Sequence, residues 1–169
     1  MGDALETQVR TPQLVFMQPQ RLIVPLFQRR YVWTQESQWE PLWNDVVRVA
    51  DRILKQPQIQ HPPHFLGAVV LQQVQNPVGL MQARTIIDGQ QRLTTLQLLL
   101  DCLHAEMMRA NASAPAARLE PLVTNAKPFC SNPEDRFKFG SGGFGNRGRI
   151  RSCLSIKAKQ CNLLGDALD

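Results

Sequence analysis

The sequence predicts a mixed α/β fold, a small sheet with helices packed against it. Two segments place apolar residues at offsets of three and four, the period of an amphipathic helix. Several apolar runs have strand length and end at proline, asparagine or glycine. One of those runs turns directly into a helical pattern across Asp88-Gly89. A chain of 169 residues holds one domain with a core and is too short for two ordinary ones. Its 43% hydrophobic and 20% charged content is that of a globular protein. No apolar run approaches the roughly 18 residues of a membrane span, and Met1 to Gln8 lacks the basic start and apolar stretch of a secretion signal. The expected compartment is therefore the cytoplasm, with no membrane partner.

The elements are expected in the following order. Leu14-Val15-Phe16 is a short strand candidate, and Leu22 to Val24 a second, which Pro25 ends because proline cannot donate to a ladder. Thr34 to Ser37 is a polar turn suited to capping a helix over Ser37–Lys55. In that helix Trp39, Leu42, Trp43, Val46, Val47, Ala50, Ile53 and Leu54 form one apolar stripe. Acidic residues lie early in it and basic residues late, as the helix dipole favours. A Pro/Gln/His connector leads to strands at Phe65–Leu71 and Gln82–Ile87. A second helix opens at Gly89 or Gln90 and reaches about Arg109, burying Leu93, Leu96, Leu99, Leu100, Leu103 and Met107. Residues 110–117 read as a loop, and Ala116 to Val123 as a further short helix.

The net charge of +5 does not by itself argue for nucleic acid, because of where it lies. Residues 1–135 carry 12 Lys/Arg and 12 Asp/Glu, whereas residues 136–169 carry 7 and 2. The basic excess thus belongs to the tail. Five of the ten glycines fall within residues 139–148, a composition with a high ordering cost and few groups to bury. The expected organisation is a folded domain over 1–138 and a poorly ordered basic tail over 139–169. Gly140, Gly142 and Gly145 satisfy the spacing of a dinucleotide fingerprint, but without a preceding strand and a following helix the match is a decoy. The four cysteines form no C-x-x-C pair and the three histidines no ligand spacing, so free thiols and no metal centre are expected.

Chemistry concentrates at Thr85-Ile-Ile-Asp-Gly-Gln-Gln-Arg-Leu-Thr-Thr-Leu96. A strand that becomes a helix through a tight turn aims backbone N–H groups and the positive end of a helix dipole at one spot, where an anion such as phosphate is the natural occupant. Gly89 allows close backbone approach, and Arg92 adds a forked donor matched to phosphate oxygens. Asp88 can cap the helix, hold Mg²⁺ or orient a water. The plainer alternative is that Asp88 only caps and Arg92 only faces solvent. A second segment, Pro25 to Trp33, interleaves Gln28, Arg29 and Arg30 with Phe27, Tyr31 and Trp33. That pattern suits base stacking and phosphate contact, and equally an edge strand with aromatics inward and arginines outward.

These blocks occur in one order: Pro25-Leu26-Phe27-Gln28-Arg29 with Tyr31 and Trp33, Trp43 and Asp45, Phe65-Leu66-Gly67, then Ile87-Asp88-Gly89-Gln90-Gln91-Arg92-Leu93-Thr94. The series resembles the N-terminal domain of GmrSD-type modification-dependent restriction endonucleases and their relatives, including SspE-type phage-defence proteins, over about residues 10–138. The resemblance implies a ParB/sulfiredoxin-like fold. It also implies a regulatory module that binds and hydrolyses a nucleoside triphosphate, with Mg²⁺, coupled to recognition of foreign, often modified, DNA. Asp88 and Arg92 would then be catalytic, and Gln28, Arg29, Asp88, Gly89, Gln90, Gln91 and Arg92 would bind nucleotide. Arg30, Tyr31 and Trp33 would face DNA, while Trp43 and Asp45 would serve packing and capping. Cutting in the family falls to a C-terminal HNH-like domain that this chain does not contain, so a nuclease domain or subunit is the expected partner. After Lys138 the resemblance gives way to the basic tail, the kind of switch that a truncated gene or an altered reading frame produces. Two competing functions follow: a non-enzymatic DNA-binding module using Gln28 to Trp33 and the tail, and an inactive remnant.

Overall fold

Strand pairing begins from alternation. In the computed structural model, which describes residues 6–25, 28, 31–77 and 79–139, β1 (Gln20–Ile23) alternates buried and half-buried positions, with Gln20 and Leu22 inward. It pairs in parallel with β3 (Gln82–Asp88), which buries Ala83 and Ile86. On the other side of β3, β2 (Val70–Val74) runs antiparallel, so the order is β1-β3-β2 and β3 is central. The mixed α/β expectation holds in this three-stranded sheet and its helices.

Around the sheet, α1 is Pro12–Phe16, α2 Glu40–Lys55, α3 Gln90–Arg109 and α4 Ser113–Val123. The strand expected at Leu14–Phe16 is instead α1. Thr11 accepts from the Leu14 amide and Pro12 opens the first turn, a helix-start pair stronger than three apolar residues in a row. Phe16 consequently enters the core, where it is fully buried with Leu22, Val24, Ile86, Leu93 and Phe139. Phe139 joins the core through the chain's return past β1: the Leu22 amide donates to the Lys138 carbonyl at 2.7 Å.

Further expectations are corrected. Residues 65–69 are not strand; Phe65 is 83% exposed, Gly67 turns the chain at φ +100°, and ladder pairing starts only at Val70 and runs on to Val74. The stripe of α2 is not core: no residue of that helix is buried, and Leu54 is 72% exposed. Its first turns continue from a π-helical turn at Gln35–Trp39, and Thr34 is the cap, accepting from Ser37 N while the Gln38 side chain accepts from Thr34 N. Asp45 lies inside the helix, with Arg48 and His64 beside it, and caps nothing. In α3 the buried face comprises Gln90, Gln91, Leu93, Thr94, Thr95, Gln97, Leu98 and Cys102, whereas Leu96, Leu99, Leu100, Leu103 and Met107 are half-buried. Polar residues occupy the inner face because several find partners there, as when Gln97 Nε2 donates to the Val123 carbonyl and Thr95 Oγ1 to the Gln91 carbonyl. Residues 113–115, expected as loop, already belong to α4.

Asn125 joins the sheet to the last described segment. Fully buried, it accepts from Gln20 N and donates to the carbonyls of Gln20 and Asp135 at 3.0 and 2.8 Å. Arg21 adds an ion pair to Asp135 at 3.2 Å. These contacts hold β1, and through it β3, in place beneath the turn at Asp88. Among the described residues no helix is long and apolar enough to cross a membrane. The glycine-rich tail from 140 onward lies outside the described residues.

Candidate functional site

β3 ends at Asp88, Gly89 turns the chain at φ +87°, and α3 opens at Gln90. The strand-to-helix switch expected over 85–96 is therefore present. Glycine is required twice over at position 89. A left-handed φ penalises a side chain there, and a Cβ would lie 2.8 Å from Val69 Cγ2, just before β2. No side chain caps α3, so the Asp88 carboxylate does not act as the helix cap. One of its oxygens accepts from Gly89 N at 2.7 Å, the other stands 3.8 Å from Arg92 Nη2, and the side chain is 71% exposed. An open carboxylate of this kind is free to meet a cation.

Arg92 leaves the first turn of α3 and lies across the segment before β2. Its Nη2 donates to the Ala68 carbonyl, and its Nε is buried without a partner. Gln90 is also buried, and its Oε1 has no partner. Such unpaired polar atoms cost roughly 1–3 kcal/mol each when sealed from water, a cost that folded chains tolerate at sites that bind.

Gln28, Tyr31 and Val32 are brought to this turn from 59 to 64 residues away. Gln28 Nε2 donates to the Ile87 carbonyl at 3.0 Å, at the end of β3. Val32 N donates to Gln91 Oε1 at 3.0 Å, and the Tyr31 hydroxyl meets Thr95 Oγ1 at 2.8 Å. Because Thr95 spends its own proton on the Gln91 carbonyl, the Tyr31 hydroxyl is the donor in that pair. The Tyr31 ring packs edge-on against Trp39, with centroids 6.1 Å apart. Burial pushes the Tyr31 phenol up to about 12, against smaller opposing effects of Thr95 and Trp39. Gln28 and residues 31–33 thus form a strap over the first two turns of α3.

The structure gathers Gln28, Asp88, Gly89, Gln90, Gln91 and Arg92 within this one region. Gln91 is committed to the strap, and Tyr31 turns its polar atom inward; Trp33 is half-buried. Arg29 and Arg30 lie outside the described residues. Thr95, Gly67 and Ala68 are participants that composition did not single out. Threonine inside a leucine-rich helix gives no signal, and a backbone carbonyl leaves none in a sequence.

A cation would find one carboxylate here. Among the described residues no group of three His, Cys, Asp or Glu side chains is placed to hold a metal. Asp88 alone fits Mg²⁺ in the way that ion usually binds, through one or two carboxylates with the remaining positions on phosphate and water. A separate cavity of about 330 Å³ lies between α3 and α4, lined by Leu98, Val123, Phe137 and Phe139 among others, and touches none of the turn residues. In its lining Arg136 pairs with Glu120 at 3.2 Å, and Lys138 Nζ donates to the Gln18 carbonyl at 3.0 Å.

No curated protein matches the chain. The family model for the GmrSD restriction endonuclease N-terminal domain matches residues 13–157, past Lys138 and through the glycine-rich stretch. That match covers most of the chain and contains every block around the turn, and the chain belongs to the GmrSD restriction endonuclease N-terminal domain family.

Proposed function

We propose that this chain is the nucleotide-binding regulatory module of a DNA-targeting restriction or phage-defence system. It binds a nucleoside triphosphate, with Mg²⁺, at the Asp88-Gly89 turn and couples its hydrolysis to action on DNA by a nuclease domain or subunit. The observation that carries this reading is the convergence of Gln28 and Arg92 on an uncapped helix N-terminus that opens directly from the central strand. Phosphate oxygens are the ligand such a terminus favours, since backbone donors and the helix dipole act together there. Arg92 supplies the guanidinium beside the turn, and Asp88 the open carboxylate for the cation. Mg²⁺ bound there would supply charge neutralisation of the phosphates. Gln28 and the strap close one side of the site, which gives Tyr31 a supporting role rather than a DNA-facing one, and Gln91 a supporting role rather than direct contact with the nucleotide. A cytoplasmic setting follows from the family's work on DNA.

Titration of a fluorescent ATP analogue in Mg²⁺ tests this. Arg92→Ala removes charge-assisted hydrogen bonds worth roughly 1.5–3 kcal/mol, about a 10–100-fold loss of affinity. Equal binding by wild type and variant would overturn the assignment. So would DNA binding that falls steeply with salt but is indifferent to nucleotide.

A further inference from the structure

Gly67 lies outside the turn, 22 residues before Gly89, and the strand expected there does not form. Its φ is +100°, and the nearest atoms to the place where a side chain would begin all belong to Arg92. A Cβ at Gly67 would stand 2.9 Å from Nη1, 3.1 Å from Cζ and 3.2 Å from Cδ. The next residue, Ala68, offers its carbonyl to Arg92 Nη2. Asp88 Oδ2 flanks the same nitrogen at 3.8 Å. The guanidinium therefore rests on bare backbone, with a carbonyl gripping one nitrogen and a carboxylate beside it. An arginine side chain has several rotatable bonds, and nothing on α3 alone would hold its plane next to the turn.

We propose that Gly67 and the Ala68 carbonyl form a seat that orients the Arg92 guanidinium toward the Asp88-Gly89 turn, making Gly67 a positioning residue of the site. The proposal deepens the nucleotide-binding reading and takes its functional meaning from it. The seat works by subtraction. Any side chain at position 67 occupies the place of the guanidinium, and because an arginine tip yields more easily than backbone, Arg92 moves off Ala68 and away from the turn. A glycine needed only for its φ would behave otherwise: its replacement would strain the backbone to the same degree whatever stood at position 92.

That difference is measurable in a double-mutant cycle on the full chain. Denaturant unfolding of wild type, Gly67→Ala, Arg92→Ala and the double variant reports stability, and titration of a fluorescent ATP analogue in Mg²⁺ reports the site. The expected result is non-additive: part of the shift in unfolding midpoint caused by Gly67→Ala disappears when Arg92 is already alanine, because only backbone strain then remains. Nucleotide affinity of Gly67→Ala is expected to fall to within about threefold of that of Arg92→Ala, with no further fall in the double variant. Strictly additive midpoints overturn the seat. If Gly67→Ala does not fold, Gly67→Asn, which adopts positive φ more readily, takes its place in the same cycle. Coupled midpoints together with no nucleotide binding by the wild type would uphold the seat and refute the nucleotide reading.

Discussion

Removing one oxygen from Tyr31 tests the strap. In Tyr31→Phe the ring and its edge-on contact with Trp39 stay, and only the hydroxyl bonded to Thr95 at 2.8 Å is lost. Thr95 keeps its own donation to the Gln91 carbonyl, so no buried donor is orphaned. The loss should therefore be that of one ordinary hydrogen bond, about 1 kcal/mol. Tyr31→Ala also removes the aromatic pair, worth roughly 0.5–1.5 kcal/mol beyond its burial. For a half-buried ring the total should reach about 2–3 kcal/mol, below the roughly 3–5 kcal/mol of fully buried aromatic truncations. Thr95→Val removes the same bond from the other side, so the double variant Tyr31→Phe/Thr95→Val should cost less than the sum of the two single changes. Urea unfolding gives the stabilities. Amide hydrogen exchange at Val32, whose N–H is held by Gln91, reports whether the strap has loosened locally. Additive stabilities with unaltered Val32 exchange would mean that Tyr31 does not hold the strap down.

Three other outcomes follow from geometry and burial. Gly89→Ala combines a left-handed backbone with a Cβ 2.8 Å from Val69 Cγ2 and 3.2 Å from Val69 Cα, so it should destabilise by about 2–4 kcal/mol in urea unfolding; a loss under about 1 kcal/mol would show that the turn relaxes freely. Lys138 is 2% exposed, and burial holds its ammonium down to about 8 from 10.5. Between those pH values the unfolded chain binds more protons than the folded one, so Lys138 makes stability rise with pH across that window. Lys138→Met should remove that part of the slope, and identical slopes in the two proteins would refute it. Tyr31 acts in the opposite sense at higher pH. Its folded value near 12 lies above its ordinary 10, so the stability it contributes is present below pH 10 and is lost as pH rises toward 12.

The elements legible in the sequence were those whose signals are local. The period of α3, the apolar run of β3 and the Asp-Gly between them announced the switch that the structure contains, because helix period, strand length and glycine turns are decided by neighbouring residues. Elsewhere a helix-start pair or distant contacts outweighed apolar composition. Leu14–Phe16 has strand-like composition, yet the Thr11-Pro12 start makes it helix and the core takes Phe16. The leucines of α3 suggested one inner face, but Gln91 and Thr95 lie inward with partners on the strap and in the helix itself, and Gln97 lies inward with its Nε2 donating to the Val123 carbonyl of α4. For α2 the stripe was correctly helical, while its exposure depends on what packs beside it, which periodicity does not carry.

By itself the sequence determined where a helix begins out of a strand, which residues crowd that point, and the family to which such an ordered set of blocks belongs. Only tertiary structure decided what those residues do for one another. It folded Gln28 onto the end of β3, gave Gln91 and Thr95 to the strap, and laid Arg92 on the backbone at Gly67 and Ala68. The reason is range: a turn is set by the φ and ψ of adjacent residues, whereas the direction of a long side chain is set by whichever backbone, tens of residues away, comes to lie beneath it.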